Sequence, residues 1–134
     1  MKKFLIILGI LTLCSLEFTS CESKVEYKNA IVGKWQCDSL EVYTLTANGY
    51  EDRAVTKYNA YFTIEFFSNG KRAAGEEIEG EWYVEEDILH VSFYDAALPN
   101  QEYFIEELNN MKLRIRYKGI ADYPRHVYYY SRLK

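Results

Sequence analysis

The sequence is poor in the residues that build metal centres, disulfide scaffolds and covalent active sites. It carries three cysteines, two prolines and two histidines in 134 residues. His90 and His126 lie in no His-x-x-x-His or Cys-x-x-Cys spacing, so no metal site is expected. Gly-x-Ser-x-Gly, Walker and Gly-x-Gly-x-x-Gly motifs are missing, as is any EF-hand-like loop. No cofactor is implied, and an enzyme is not expected. Sixteen basic residues stand against twenty acidic ones, for a net charge of −4. The basic residues are dispersed, which disfavours nucleic acid as a partner. Beyond residue 16 there is no long apolar run, and no stretch sustains a helical period.

What is present begins with an address. Met1-Lys2-Lys3 is basic, and Phe4 to Leu16 is apolar apart from Thr12 and Ser15. Such a run suits a signal-peptide core and is shorter than the ~20 apolar residues of a spanning helix. It ends at Phe18-Thr19-Ser20-Cys21. A large apolar residue, two small ones and a cysteine resemble the lipobox of lipoprotein precursors. Residues 1–20 are therefore expected to be a lipoprotein signal peptide. The resemblance implies that Cys21 carries lipid, that residues 21–29 form a tether, and that the chain resides in the cell envelope, at the outer membrane. One acyl chain holds only marginally at ~0.8 kcal/mol per buried CH₂, whereas two or three make attachment lasting. With Cys14 removed and Cys21 lipidated, Cys37 has no intramolecular partner and is expected to pack as a small hydrophobe.

Residues 30–134 read as one all-β domain. Thirteen tyrosines, seven phenylalanines and two tryptophans favour strands. Phe62, Ile64 and Phe66 alternate with polar residues; so do Ile78, Gly80, Trp82 and Val84, then Leu89, Val91 and Phe93, then Leu113, Ile115 and Tyr117. This is period two, one face buried and one wet. Further strands are expected near Gly33–Tyr43, Lys71–Gly75, Gln101–Glu107 and Arg125–Leu133, about eight in all.

Turn chemistry orders them as a meander. Asn69-Gly70 is a strong hairpin signal. A two-residue turn at Glu86-Asp87 pairs Val84 with Leu89 and Trp82 with Val91, keeping both apolar sets on one face. A three-residue loop from Leu108 to Asn110 is expected to set Ile105 opposite Leu113, Glu106 opposite Lys112 and Glu102 opposite Arg116. Thr44–Asn59 is long and polar, and reads either as a flap over the barrel mouth or as a hairpin turning at Asn48-Gly49. The expected architecture is an eight-stranded antiparallel up-and-down barrel, with a two-sheet β-sandwich as the alternative.

Gly33-Lys34-Trp35 opens the first strand. A Gly-x-Trp there, ahead of such a meander, resembles the lipocalin-like domains of small lipoproteins of Bacteroidetes type. The resemblance implies that Gly33 turns the chain under the barrel, that Trp35 plugs the closed end, and that Arg132 lies across it. It also implies a non-enzymatic module holding a small hydrophobic or amphipathic ligand at its open end. The candidate lining is Phe62, Ile64, Phe66, Trp82, Val91, Phe93, Tyr103, Ile115 and Tyr117. An eight-stranded barrel is wide enough to be filled by side chains or to hold one small molecule. The alternative function is a filled barrel that docks on a protein or a polysaccharide of the envelope.

Three polar clusters remain. Glu79 and Glu81 are expected on the wet face of their strand, as solvated acids. Lys112, Arg114, Arg116 and Lys118 form an outward basic stripe, expected to pair across strands with glutamates. Tyr128-Tyr129-Tyr130 is split by alternation between the two faces.

Overall fold

The computed structural model describes residues 27–58 and 62–134. The signal segment, Cys21 and most of the tether lie outside the described residues. The strands are β1 (Gly33–Leu45), β2 (Glu51–Lys57), β3 (Thr63–Phe66), β4 (Lys71–Ala74) and β5 (Glu77–Glu85). They continue as β6 (Ile88–Phe93), β7 (Gln101–Leu108), β8 (Lys112–Tyr117) and β9 (Arg125–Arg132). All neighbours are antiparallel, and β9 returns to pair with β1. β1 and β3 to β9 thus close an eight-stranded barrel, and β2 is an added ninth strand.

Closure depends on the length of β1. Gly33 to Gln36 pair with β3, Ser39 to Leu45 pair with β2, and the opposite edge pairs with β9. A bulge between Cys37 and Ser39 shifts the alternation by one residue. Trp35 and Cys37 face inward before it; Leu40, opposite Tyr128, faces inward after it. Glu41 and Tyr43 are thereby turned to the outer face.

Over its described residues, 44–58, the segment expected as a flap or a hairpin forms the hairpin. Thr46 N–H donates to Tyr50 O at 2.7 Å, and Gly49 supplies the left-handed residue at φ 81°. All seven residues of β2 are exposed. Their polar character hid the strand, since alternation cannot register where neither face is buried.

The Glu86-Asp87 turn holds Val84 opposite Leu89 and Trp82 opposite Val91. The β7–β8 pairing differs from the expected register. Ile105 lies opposite Ile115, Phe104 opposite Arg116 and Leu108 opposite Leu113. The turn is Asn109–Met111, where Asn109 Oδ1 accepts from the Met111 and Lys112 amides. A bulge near Glu106 absorbs the change of phase. Ile105 still shares the inner face with Leu113 and Ile115, but both expected ion pairs slide by two residues: Glu106 meets Arg114, and Arg116 beyond it, and Glu102 meets Lys118.

Trp35, Ile64, Phe66, Leu89, Val91, Ile105, Leu113 and Ile115 fill the end of the barrel where β1 begins and β9 finishes. Residues 27–30 form one helical turn under that end. Tyr27, which belongs to the expected tether, packs against this core, and Ile31 is fully buried. Trp35 Nε1–H donates to Ile31 O at 2.8 Å. Arg132 lies over the Trp35 ring and donates to the carbonyls of Val32, Ala30 and Asn110. Gly33 has φ 136°, and a Cβ there would sit 2.5 Å from Arg132 Nη1, so this crowded corner requires glycine.

Candidate functional site

The barrel interior divides into two zones. Ile64, Phe66, Trp82, Val91 and Ile115 are each no more than 6% exposed and belong to the packed core. Trp82 Nε1–H is satisfied by Phe67 O at 2.9 Å. Of the expected lining, these five are barrel filling. Phe93, Tyr103 and Tyr117 are only partly buried and continue the inner face toward the loops at the other end. Phe62 lies further out, 47% exposed and stacked on Tyr58 at 5.3 Å. Gly80 adds no room for a ligand: a Cβ there would meet Ser92 O at 1.9 Å, so it serves the close approach of β5 to β6.

A charged pair occupies the second zone. Arg72 on β4 stands opposite Phe66 and Gly80, which turns it toward the interior. Its guanidinium pairs with Glu79 and lies 5.7 Å from the Phe93 ring centre. The β4–β5 register shifts between Arg72 and Ala73, leaving Glu79 as the extra residue of a bulge. That bulge corrects two expectations. Glu79 leaves the wet face to meet Arg72, while Ile78 drops out of the inward set and is 51% exposed. The Arg72 side chain is only 13% exposed, and its Nε has no hydrogen-bond partner among the described residues.

Two phenols, Tyr103 and Tyr130, lie within reach of the Arg72 charge. Tyr103 stands edge-on to Tyr117 and Tyr128, with ring centres 5.7 and 6.1 Å away. Burial pushes the Tyr103 hydroxyl well above the usual phenol range; the Arg72 charge opposes that and the Glu79 charge adds to it. Tyr130 is likewise raised well above that range, again chiefly by burial. These phenols stay protonated at physiological pH, and the Tyr103 hydroxyl donates to Gln101 Oε1. An arginine, a glutamate and neutral phenols on an aromatic wall can orient an amphipathic molecule.

The outer face carries a second feature. Glu41 is only 7% exposed although it points away from the lumen. It accepts from Arg53 and from Tyr43 at 2.5 Å. The Arg53 bond first, and Tyr43 second, hold its carboxyl down at about 2. It is therefore ionised at neutral pH and unsuited to proton donation there. Strict alternation from Trp35 would put Glu41 on the inner face; the bulge turns it outward, and its burial there follows from Tyr129 of β9 and Arg53 of the β2 hairpin packing against it, which no local pattern reveals. Beside it an open groove of about 480 Å³ is lined by Tyr43, Glu51, Glu106, Arg114, Arg116, Arg125, Val127 and Tyr129. The basic stripe contributes two of these. Arg114 and Arg116 flank Glu106, Lys118 pairs with Glu102 at 3.2 Å, and Lys112 reaches Ser131 at 3.4 Å.

His90 stacks on Tyr83 at 4.3 Å and faces Glu102 at 3.3 Å, while His126 stands edge-on to Tyr117. Among the described residues no three His, Cys, Asp or Glu side chains converge on a metal position. No helix among them is long and apolar enough to cross a membrane.

The closed barrel with an indole at one end defines a lipocalin-like architecture. Residues 31–115 match the model of the lipocalin-like domain family, and the chain belongs to that family. Among solved structures it is similar to a lipocalin-like protein from Bacteroides uniformis, at 14% identity and a TM-score of 0.42, over 78% of this chain and 99% of that one. No curated protein matches the sequence.

Proposed function

We propose that this chain is a lipid-anchored, non-enzymatic binding module that takes a small amphipathic or hydrophobic ligand at the open end of its barrel. Attachment would be through Cys21 at the outer membrane, supported by the Phe18-Thr19-Ser20-Cys21 junction behind a short apolar run. The observation that carries the ligand reading is Arg72. Its guanidinium is largely buried on an aromatic wall, and its Nε lacks a hydrogen-bond partner among the described residues. A buried donor without a partner is costly, and a ligand oxygen would satisfy it. Phe93, Tyr103 and Tyr117 would face the apolar part of such a ligand.

The test is native mass spectrometry of the chain purified from its own envelope, followed by thermal shifts with fatty acids, bile acids and aromatic metabolites. A co-purified small molecule, or a shift abolished by Arg72→Met, supports the reading. Bare protein with no shift from any of the three ligand sets rejects it. The second reading, a barrel that acts through its outside, is favoured by the five expected lining residues that instead fill the core and by the polar groove on the outer face.

A further inference from the structure

The outer groove is built unlike an ordinary solvated barrel wall. Arg114 and Arg116 enter it from β8 and Arg125 from β9, with Glu106 at one side and Glu51 at the other. Their pairing is loose. Arg116 Nε is 3.4 Å and Arg114 Nε 3.8 Å from Glu106, and Arg125 Nη1 is 3.9 Å from Glu51. Close guanidinium–carboxylate bonds run at about 2.7–2.9 Å and are commonly two-pronged. Arg114 Nε is buried and has no hydrogen-bond partner among the described residues. The Glu41 carboxylate on the same outer face is already engaged by Arg53 and Tyr43, and Glu51 Oε2 accepts from the Tyr123 hydroxyl at 2.5 Å. Three guanidinium groups thus face two carboxylates, on a chain whose overall charge is −4.

The arginines are also held in place. Arg114 lies over Tyr129 at 6.0 Å, Arg116 over Phe104 at 4.6 Å and Arg125 over Tyr123 at 5.0 Å. Stacking restrains the guanidinium planes, so less freedom is lost when a ligand binds. The groove volume falls inside the ~300–1,000 Å³ range of small-molecule sites.

We propose that this groove binds an acidic saccharide, a sugar that carries a carboxylate beside free hydroxyls. The arginines would fork the carboxylate, and Glu51 and Glu106 would accept from the ring hydroxyls. A bare anion leaves both glutamates repelling it. A neutral sugar gives the arginines no anionic partner. An acidic peptide would seek an apolar anchor, and Val127 in the groove is only 5% exposed. Arginines with side chains 33–37% exposed are too recessed to meet a flat layer of lipid headgroups. The site is independent of the barrel interior.

The experiment is calorimetric titration of the full chain in detergent micelles. The probes are trigalacturonate and N-acetylneuraminate, set against a neutral galactose trimer, sodium sulfate and a tetraglutamate peptide. At least one acidic sugar is expected to bind at least tenfold more tightly than the neutral trimer, sulfate or the peptide. Arg114→Gln and Arg125→Gln are expected to weaken it at least tenfold, with Arg114→Lys intermediate and Arg72→Met without effect. The wild-type comparison stands even if a variant fails to fold. No binding of either acidic sugar overturns the proposal, as does equal binding of the neutral trimer. Sulfate or peptide binding as tightly identifies a simple anion site or a protein-docking site instead. Weakening by Arg72→Met alone would assign the sugar to the lumen.

Discussion

The Arg132 guanidinium lies 4.2 Å from the centre of the Trp35 ring, while its nitrogens hold the carbonyls of Val32, Ala30 and Asn110. One side chain near the C-terminus thereby fastens the start of β1, the helical turn before it and the β7–β8 loop. Hydrogen bonds to a charged group are worth ~1.5–3 kcal/mol each and a desolvated cation–π contact ~2 kcal/mol, though such contributions do not simply add. Arg132→Met is expected to cost about 3 kcal/mol in urea unfolding. Arg132→Lys should recover less than half of that, since an ammonium lacks the planar fork. A loss under about 1 kcal/mol for Arg132→Met would show that the contact contributes little.

The lumen pair separates stability from binding. Removing one member of a buried ion pair costs up to ~3–5 kcal/mol, whereas replacing both with apolar residues is often neutral. Glu79 is about a third exposed, so solvent screens part of this. Arg72→Met is expected to lower stability by about 1–2 kcal/mol, and Arg72→Met with Glu79→Met to restore most of it. Ligand-induced thermal shifts should be lost in both variants. Equal losses of stability in the single and double variants would remove the pair from the account.

Glu41 predicts an acid limb. Its folded-state carboxyl sits at about 2, held there by Arg53 first and Tyr43 second, against ~4.3 in an unfolded chain. The stabilisation is therefore fully present above the unfolded value and lost as pH falls from ~4.3 toward ~2. Glu41→Gln should flatten the stability profile across that window and leave the neutral region parallel to wild type. Unchanged slopes between pH 5 and pH 2 would exclude Glu41 as a source of the acid limb.

Cys37 is fully buried, and its thiol is pushed up to about 11, by burial first and by the Asp38 charge second. At pH 8 only ~0.1% would be thiolate, the reactive form. Peptide mapping after iodoacetamide treatment should find Cys37 unmodified in the native chain and alkylated in denaturant. Rapid native alkylation would mean that β1 opens near its bulge.

The all-β class, the meander order and the Glu86-Asp87 register were written in local terms: period-two alternation, turn residues and matching parity of Val84 with Leu89. These depend on neighbours a few residues apart, so sequence alone determined them. The proposed Cys21 junction rests on the sequence alone. Tertiary structure decided the rest. Bulges at Asp38, Glu79 and near Glu106 change which face a side chain takes, and no residue type announces them. They brought Glu79 to Arg72, buried Glu41 under Tyr129 and Arg53, and moved the partners of Arg114 and Arg116. A bulge arises where two strands of different twist and length must share a ladder, and that constraint exists only once the barrel has closed.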